Sequence, residues 1–181
     1  LFRADGTRGA SAPRDVVFFP GTFDPPHEGH RSAARAAAQR SGRPIVYQIT
    51  TDPPHRVALT VQAMLSRARG LRGADLLFTQ GDPLYIDKAR RAPGAAFLVG
   101  ADALTRMFDP RWGPAPRDLL REFVALGTTF YVVGRATPQG TFVAPEAAIP
   151  RGAPSRMFIP VTGRWDQSSS ALRARGAPET P

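Results

Sequence analysis

Two of the three histidines in this 181-residue chain, His27 and His30, stand three positions apart. They lie between an apolar run that is typical of a buried strand and an Ala- and Arg-rich stretch that favours a helix. With Asp24 as N-cap and Pro25 as the first helical residue, both imidazoles are predicted to share one face of the first turn. Imidazole N–H groups and a helix N-terminus are donors for phosphate oxygens. The spacing therefore predicts a polyphosphate site.

Two glycines belong to the same stretch. Gly21 would allow a tight turn after the strand, since glycine adopts backbone conformations closed to other residues. Gly29, between the histidines, removes a side chain, so that a flat ligand could lie against the backbone. The element that must position the histidines is thus a strand followed by a turn and a helix, with the first helix predicted to run from about Pro25 to Arg40.

Other polar residues follow predicted strands, at the edge where open α/β sheets place their ligands. His55 and Arg56 lie in the loop at residues 51–56, which is either a proline-rigidified turn with solvated side chains or a phosphate-binding loop. Gly100 would let the backbone approach a ligand. Asp102 would either cap the following helix or accept hydrogen bonds from ribose hydroxyls.

The C-terminal part holds a second candidate half-site, at residues 168–173. Three consecutive serines, Ser168, Ser169 and Ser170, precede Arg173. Serine caps a helix while its hydroxyl and the free N–H groups point outward, and an arginine one turn later could hold phosphate oxygens with two parallel bonds. An ordinary serine-capped helix is the alternative interpretation of this segment.

The rest of the chain alternates apolar strand-like runs with helix-like stretches, which indicates an α/β domain with a parallel sheet. We expect residues 1–14 to be a polar tail or linker and residues 15–181 to form the domain. In the second helix, an apolar stripe is predicted to face inward. Arg67 lies off this stripe, where it could reach a ligand, although a solvated face is expected. The stripe consists of Val61, Met64, Leu65 and Ala68.

Composition limits the partners. The formal net charge is +9, but the arginines are scattered and do not alternate with aromatic residues, so no nucleic-acid partner is expected and a phosphate-rich small molecule accounts for the charge. The sequence has no cysteine and therefore no disulfide framework. No apolar stretch has the length of a membrane span and no secretory signal is evident, so a cytoplasmic enzyme without membrane partners is expected.

The motif at residues 21–30, Gly-Thr-Phe-Asp-Pro-Pro-His-Glu-Gly-His, resembles the signature of the HxGH nucleotidyltransferase superfamily. Residues 168–173 resemble the second signature of that superfamily, although Gln167 replaces an apolar residue, Ser170 a threonine and Leu172 an isoleucine. The resemblance covers nearly all of residues 15–176. It is strongest to nicotinate and nicotinamide mononucleotide adenylyltransferase-like proteins of bacteria and plants, some of which follow a competence-damage-inducible-like amidase domain, so such a domain is an expected partner.

The resemblance implies a Rossmann-like fold with a parallel sheet of five or six strands flanked by helices. It also implies adenylyl transfer from ATP to a phosphate-bearing acceptor, nicotinate or nicotinamide mononucleotide, with release of pyrophosphate. Mg²⁺ would be carried by the triphosphate, and no metal ligands are expected in the protein. A phosphopantetheine-type or phospho-alcohol acceptor, or an inactive nucleotide-binding module, are the alternatives. The sequence leaves the oligomeric state open.

The superfamily's site residues map onto three groups. The implied catalytic residues are His27, His30 and Arg173. The implied acceptor-binding residues are His55, Arg56 and Trp112, where Trp112 would stack on a pyridine ring or, alternatively, fill the core. The implied nucleotide-binding residues are Gly21, Thr22, Phe23, Gly29, Gly100, Asp102, Ser168, Ser169 and Ser170.

Overall fold

A twisted sheet forms the centre of the protein. The computed structural model describes residues 13–52, 57–111, 113–136 and 141–165, together with residues 3, 5, 7 and 9. The strands of this part of the chain are β1 Val17–Pro20, β2 Ile45–Thr50, β3 Asp75–Thr79, β4 Ala96–Gly100, β5 Thr129–Ala136, β6 Phe142–Val143 and β7 Phe158–Trp165. The helices are α1 Glu28–Ser41, α2 Val61–Gly70, α3 Tyr85–Arg91, α4 Ala101–Met107, α5 Pro116–Ala125 and α6 Pro145–Ala148.

The strand order is β3-β2-β1-β4-β5-β6, with β7 also paired to β5. All pairings are parallel except that of β5 with β6. The predicted Rossmann-like α/β fold with a parallel sheet of five or six strands is confirmed: among the described residues, six strands are parallel, and the short β6 adds a seventh strand antiparallel to β5. The chain moves outward from β1 through β2 and β3 and then returns to place β4 on the other side of β1. The sheet therefore has a topological switch point between β1 and β4.

Side chains of successive strand residues alternate between two buried layers. One layer includes Phe19 of β1 and Leu98 of β4 and packs against α1. The other includes Phe18 and Phe97 and packs against α3, α4 and α5. Both faces of the sheet are therefore covered, as a parallel sheet requires, and its strand ends are left as the place for a ligand.

Helix α1 packs closely on the sheet because its inward face is made of alanines. Ala33, Ala34 and Ala37 are buried, at the spacing of one helix face. The helix ends as predicted, with Gly42 in the left-handed conformation that glycine favours. Its predicted start is wrong: α1 begins at Glu28 with His27 as its N-cap, and residues 24 and 25 form a bend before it.

The inward stripe predicted for α2 is partly wrong. Val61 is 72% exposed and Leu65 45% exposed, whereas Met64 and Ala68 are half-buried. Helix α2 connects β2 to the edge strand β3, where little of the sheet remains to cover a helix, so apolar spacing overstates its burial. The expectation for Arg67 is also wrong, because only 11% of its side chain is exposed. Among the described residues, no helix is both long and apolar enough to cross a membrane.

Candidate active site

The switch point brings two predicted segments to the same edge of the sheet. The motif loop, which we define as residues 21–27, follows the carboxyl end of β1. The Gly100–Asp102 segment follows the carboxyl end of β4, the strand paired with β1. Open α/β sheets bind ligands at this position, in the crevice outside the strand ends. The topology alone thus points to the same place as the histidine spacing.

The two histidines form one stacked pair. His27 is the N-cap of α1 and His30 lies in its first turn. Their ring centroids are 3.7 Å apart and the ring planes differ by 28°. Both side chains are almost buried, with 6% of His27 and 8% of His30 exposed. Both imidazoles therefore lie on the same side of the helix N-terminus, as predicted, and their rings are in direct contact.

The hydrogen bonds of the pair assign its proton positions. The backbone N–H of His27 donates to Nδ1 of His30 at 3.3 Å, in the way that a third-position glutamate caps a helix. Since Nδ1 accepts, the proton of a neutral His30 ring lies on Nε2, where it can be donated. Within the described part of the chain, neither ring nitrogen of His27 has a hydrogen-bond partner. Buried polar atoms without partners are rare in proteins, so the environment of His27 needs an explanation beyond packing.

Both imidazoles are neutral at pH 7. Burial, together with the charges of Arg135 and Arg31, lowers the pKa of His27 to about 4. Burial also lowers the pKa of His30 to about 2, with contributions from His27 and the same two arginines. The site therefore offers neutral N–H donors inside a positive environment, which suits an anionic ligand and repels a cation.

These pKa values predict how stability depends on pH. Between pH 6.5 and about pH 4, the unfolded chain binds protons at both histidines that the folded protein does not bind. The free energy of unfolding should therefore fall as pH is lowered below 6.5, by up to roughly 1 kcal/mol per pH unit for each histidine. Above pH 6.5 this contribution is constant.

Urea unfolding at about pH 7.5 and about pH 5 measures this difference. A His27→Gln/His30→Gln variant is the control, because it keeps the other titrating groups. The wild-type protein should lose more stability between the two pH values than this variant. Equal losses would show that the histidines do not have lowered pKa values.

An aromatic layer supports the pair from below. The rings of Phe23 and His30 pack edge to face, with 4.9 Å between their centroids. Phe23 also packs on Phe19 and Tyr47. Phe23 has a φ of 48°, a left-handed conformation that is unfavourable for a residue with a side chain and that turns its ring into the core. A Cβ on Gly21 would lie 2.7 Å from this ring, so the position requires glycine. Because the Phe23 ring is buried, any contact of Phe23 with a nucleotide would involve its backbone.

The carboxyl end of β4 carries Gly100 and Asp102. Gly100 is the N-cap of α4, and Asp102 lies in the first turn, so Asp102 does not cap this helix. Its carboxylate contacts Arg106 at 3.1 Å and the Nε of Arg135 at 3.7 Å. A Cβ on Gly100 would come within 2.7 Å of the Asp102 carboxylate and 2.9 Å of the Arg135 side chain. Glycine therefore allows these two charged groups to meet over the strand end.

Sequence reasoning missed Arg135. It lies near the end of β5, two residues beyond Val133, which pairs with Gly100. Its positive charge lowers the pKa of both histidines, and only a fifth of its side chain is exposed. The rule that selected Asp102, a polar residue at the carboxyl end of a parallel strand, also applies to Arg135 and would have found it. A guanidinium here adds a fixed positive charge beside the histidine pair.

Several predicted site residues lie outside the described residues. They are the acceptor candidates His55, Arg56 and Trp112 and the second half-site Ser168, Ser169, Ser170 and Arg173. The flanks of the loop at residues 51–56 are described. Leu59 N–H donates to the Thr51 carbonyl at 2.7 Å, and Gly81 N–H donates to the Asp52 carboxylate at 2.9 Å. The two ends of this loop are therefore held close together beside β3.

The comparison with protein families agrees with the site. Residues 18–175 match the model of the cytidylyltransferase-like family. The chain belongs to this family. The predicted membership of the nucleotidyltransferase superfamily is thereby confirmed, and the match begins in β1 and includes the whole histidine motif.

Three relatives align with most of the length of this chain, and each is named a probable nicotinate-nucleotide adenylyltransferase. The protein of Stenotrophomonas maltophilia (strain K279a) is 29% identical, over 89% of this chain and 75% of the relative. That of Frankia alni (strain DSM 45986 / CECT 9034 / ACN14a) is 30% identical, over 87% of both chains. That of Caulobacter sp. (strain K31) is 27% identical, over 88% of this chain and 97% of the relative.

The described side chains of the family member's site are mostly hydrogen-bond donors. Two imidazoles, a helix N-terminus and Arg135 surround the switch point, with Asp102 as the nearby carboxylate. Among the described residues, no group of three or more His, Asp or Glu side chains is arranged as metal ligands. The donor set fits the oxygens of a polyphosphate and offers little to a hard cation, which prefers several oxygen ligands.

Proposed function

We propose that the protein is a nucleotidyltransferase that moves the adenylyl group of ATP to nicotinate mononucleotide and releases pyrophosphate. The observation that carries the proposal is the stacked, neutral histidine pair at the N-terminus of α1, at the switch point of the sheet. The ring nitrogens of His27 have no hydrogen-bond partner among the described residues. The printed names of the relatives support nicotinate over nicotinamide as the base of the acceptor.

In the proposed reaction, an oxygen of the acceptor phosphate attacks the α-phosphorus of ATP while the bond from that phosphorus to the pyrophosphate oxygen breaks. No general base is needed, because a phosphate monoester is already ionised near neutral pH. Catalysis then consists of in-line positioning and of stabilising the charge that develops on the α-phosphate and the leaving group. This agrees with a site rich in donors.

The histidines have distinct proposed roles because their protons are placed differently. His30 donates from Nε2 while its Nδ1 is held by the backbone, so its ring orientation is fixed before substrate binds. Both ring nitrogens of His27 are buried without a hydrogen-bond partner among the described residues, and a neutral imidazole offers one of them as a donor. We assign both, with Thr22 and the backbone of Gly21, Phe23 and Gly29, to the α- and β-phosphates.

The second half-site completes the triphosphate site in this proposal. Ser169 and Arg173, flanked by Ser168 and Ser170, would hold the β- and γ-phosphates. Mg²⁺ would arrive on the triphosphate and neutralise charge there, since the described donors suit anions. Gly100 and Asp102 would lie against the ribose and backbone of the nucleotide, with Arg135 beside them.

The proposed acceptor site lies toward the loop at residues 51–56. His55 and Arg56 would bind the acceptor phosphate, and Trp112 would stack on the pyridine ring. We also propose a cytoplasmic location for the enzyme. An amidase-like domain or protein remains a proposed partner on the resemblance alone.

An acceptor panel tests the proposal. Purified protein is given ATP·Mg²⁺ with nicotinate mononucleotide, nicotinamide mononucleotide, phosphopantetheine or a phosphorylated alcohol, and pyrophosphate and adenylylated product are measured. A parallel series contains CTP. We expect the dinucleotide product with ATP and nicotinate mononucleotide. Turnover only with another acceptor or with CTP would reassign the substrate, and ATP binding without turnover on any acceptor would indicate a binding module.

Replacing Trp112 should separate acceptor binding from ATP binding. Stacking on one aromatic ring contributes roughly 0.5–1.5 kcal/mol beyond area burial, so Trp112→Ala should raise the KM for the acceptor by about tenfold or less. The KM for ATP should hardly change. Steady-state kinetics with each substrate varied in turn measures both constants. A rise confined to the KM for ATP would place Trp112 against the nucleotide.

A further inference from the structure

Arg67 of α2 contacts the motif loop through two of the three nitrogens of its guanidinium group. Its Nε donates to the backbone carbonyl of Thr22 at 2.8 Å, and its Nη2 lies 3.3 Å from the carboxylate of Asp24. Its Nη1 donates to the carbonyl of Ala63, one turn earlier on its own helix, at 3.1 Å. All three nitrogens thus have protein partners, and the side chain is nearly buried. The planar fork joins α2 to the loop that leads into the histidine pair.

Two further contacts join the end of α2 to the same region. Arg31, in the first turns of α1, donates to the carbonyl of Gly70 at 2.6 Å. Pro26 packs directly on Gly70, where an added Cβ would lie 2.9 Å from the proline ring. Helix α2 therefore contacts both the beginning and the end of the motif loop, and also Arg31 in the helix that follows the loop.

The other end of α2 is also anchored. Thr60 caps the helix by accepting a hydrogen bond from Ala63 N–H at 3.1 Å, and Leu59 N–H is bonded to Thr51. The helix thus runs from the closed base of the loop at residues 51–56 to the motif loop. A rigid helix fixed at both ends can hold a neighbouring loop in one geometry.

We propose that Arg67 is a positioning residue that holds the motif loop so that His27 and His30 face the phosphates of the substrate. It acts through Thr22 and Asp24, the residues of the motif loop that its guanidinium group contacts. The kinetic part of this inference rests on the proposed function. The geometric part does not.

The test compares Arg67→Gln and Arg67→Lys with Arg69→Gln, a matched control on an exposed position of the same helix. The imidazole Cε1–H signals of the three histidines are followed by NMR during a pH titration. Both Arg67 variants should shift two of these signals and raise their titration midpoints toward 6.5, by more than about half a unit. The control should leave them unchanged. Unshifted signals in folded Arg67→Gln protein would overturn the proposal.

Kinetics separates positioning from direct contact. A displaced loop should lower kcat by roughly tenfold or more and change the KM for ATP little, since small misplacements of reacting groups are costly. The lysine variant keeps the charge but not the fork, so it should resemble the glutamine variant. Wild-type kcat in the lysine variant, or a loss confined to the KM for ATP, would contradict a positioning role.

Gly70→Ala provides a second route to the same geometry. The added methyl group would press on Pro26 without altering Arg67, and we expect it to move the same two histidine signals. If Arg67→Gln does not fold, this variant and the lysine variant decide the question. If the wild-type protein has no turnover on any acceptor, the proposed function fails, while the NMR result still shows whether Arg67 positions the histidines.

Discussion

The His30→Ala variant should lose about 10²–10³-fold in kcat, because removal of one donor that stabilises developing charge has an effect of this size. His30 is suited to this role: burial keeps its ring neutral, and the backbone N–H of His27 bonded to Nδ1 leaves the Nε2 proton for the substrate. Pyrophosphate release at saturating ATP and nicotinate mononucleotide measures the loss. The KM values should change less than kcat, since the interaction is strongest in the transition state.

The control for this variant is Gln39→Ala, on an exposed position of the same helix. Far-UV circular dichroism should show the same secondary structure for both variants and the wild type. A folded His30→Ala protein with wild-type kcat would remove His30 from the mechanism, and with it the strongest argument from the motif.

The Arg173→Lys variant should lose about 10–100-fold in kcat/KM for ATP, the effect of one lost hydrogen bond to a charged group. Lysine keeps the positive charge but cannot form the two parallel bonds of a guanidinium to phosphate oxygens. The loss should therefore appear for the triphosphate and not for the acceptor. Initial rates with ATP varied at fixed acceptor concentration measure it.

Arg175→Lys is the matched control, two positions further along the same segment. It should keep the wild-type kcat/KM for ATP. If both lysine variants behave alike, residue 173 contributes only its charge, and the second signature has a different role from the one implied by the resemblance.

The sequence predicted the fold and the placement of both histidines together at the start of a helix, because both depend on local patterns. Apolar runs separated by helix-length stretches indicate a parallel sheet with helical crossovers. The motif at residues 21–30 combines histidine spacing, a glycine turn and a following helix within ten residues. Residues this close in sequence are also close together in the folded protein.

Contacts between distant segments could not be predicted in this way. Arg67 pairs with a loop more than forty positions earlier, and its sequence neighbours place it on a helix face with no indication of that loop. The start of α1 was misplaced by three residues because Asp24 and Pro25 also satisfy the rules for a bend. The exposure of Val61 and Leu65 depends on where the sheet ends, which apolar spacing does not reveal.

The unequal surroundings of the two histidines have a consequence for reading related sequences. His30 is bonded to the backbone and packed on Phe19 and Phe23, so a relative that has lost activity would still retain it for stability. His27 has two buried ring nitrogens with no partner among the described residues, and this arrangement is unfavourable without a ligand. Genetic drift should therefore replace His27 first in an inactive lineage, and an intact His27 is the better marker of a working enzyme.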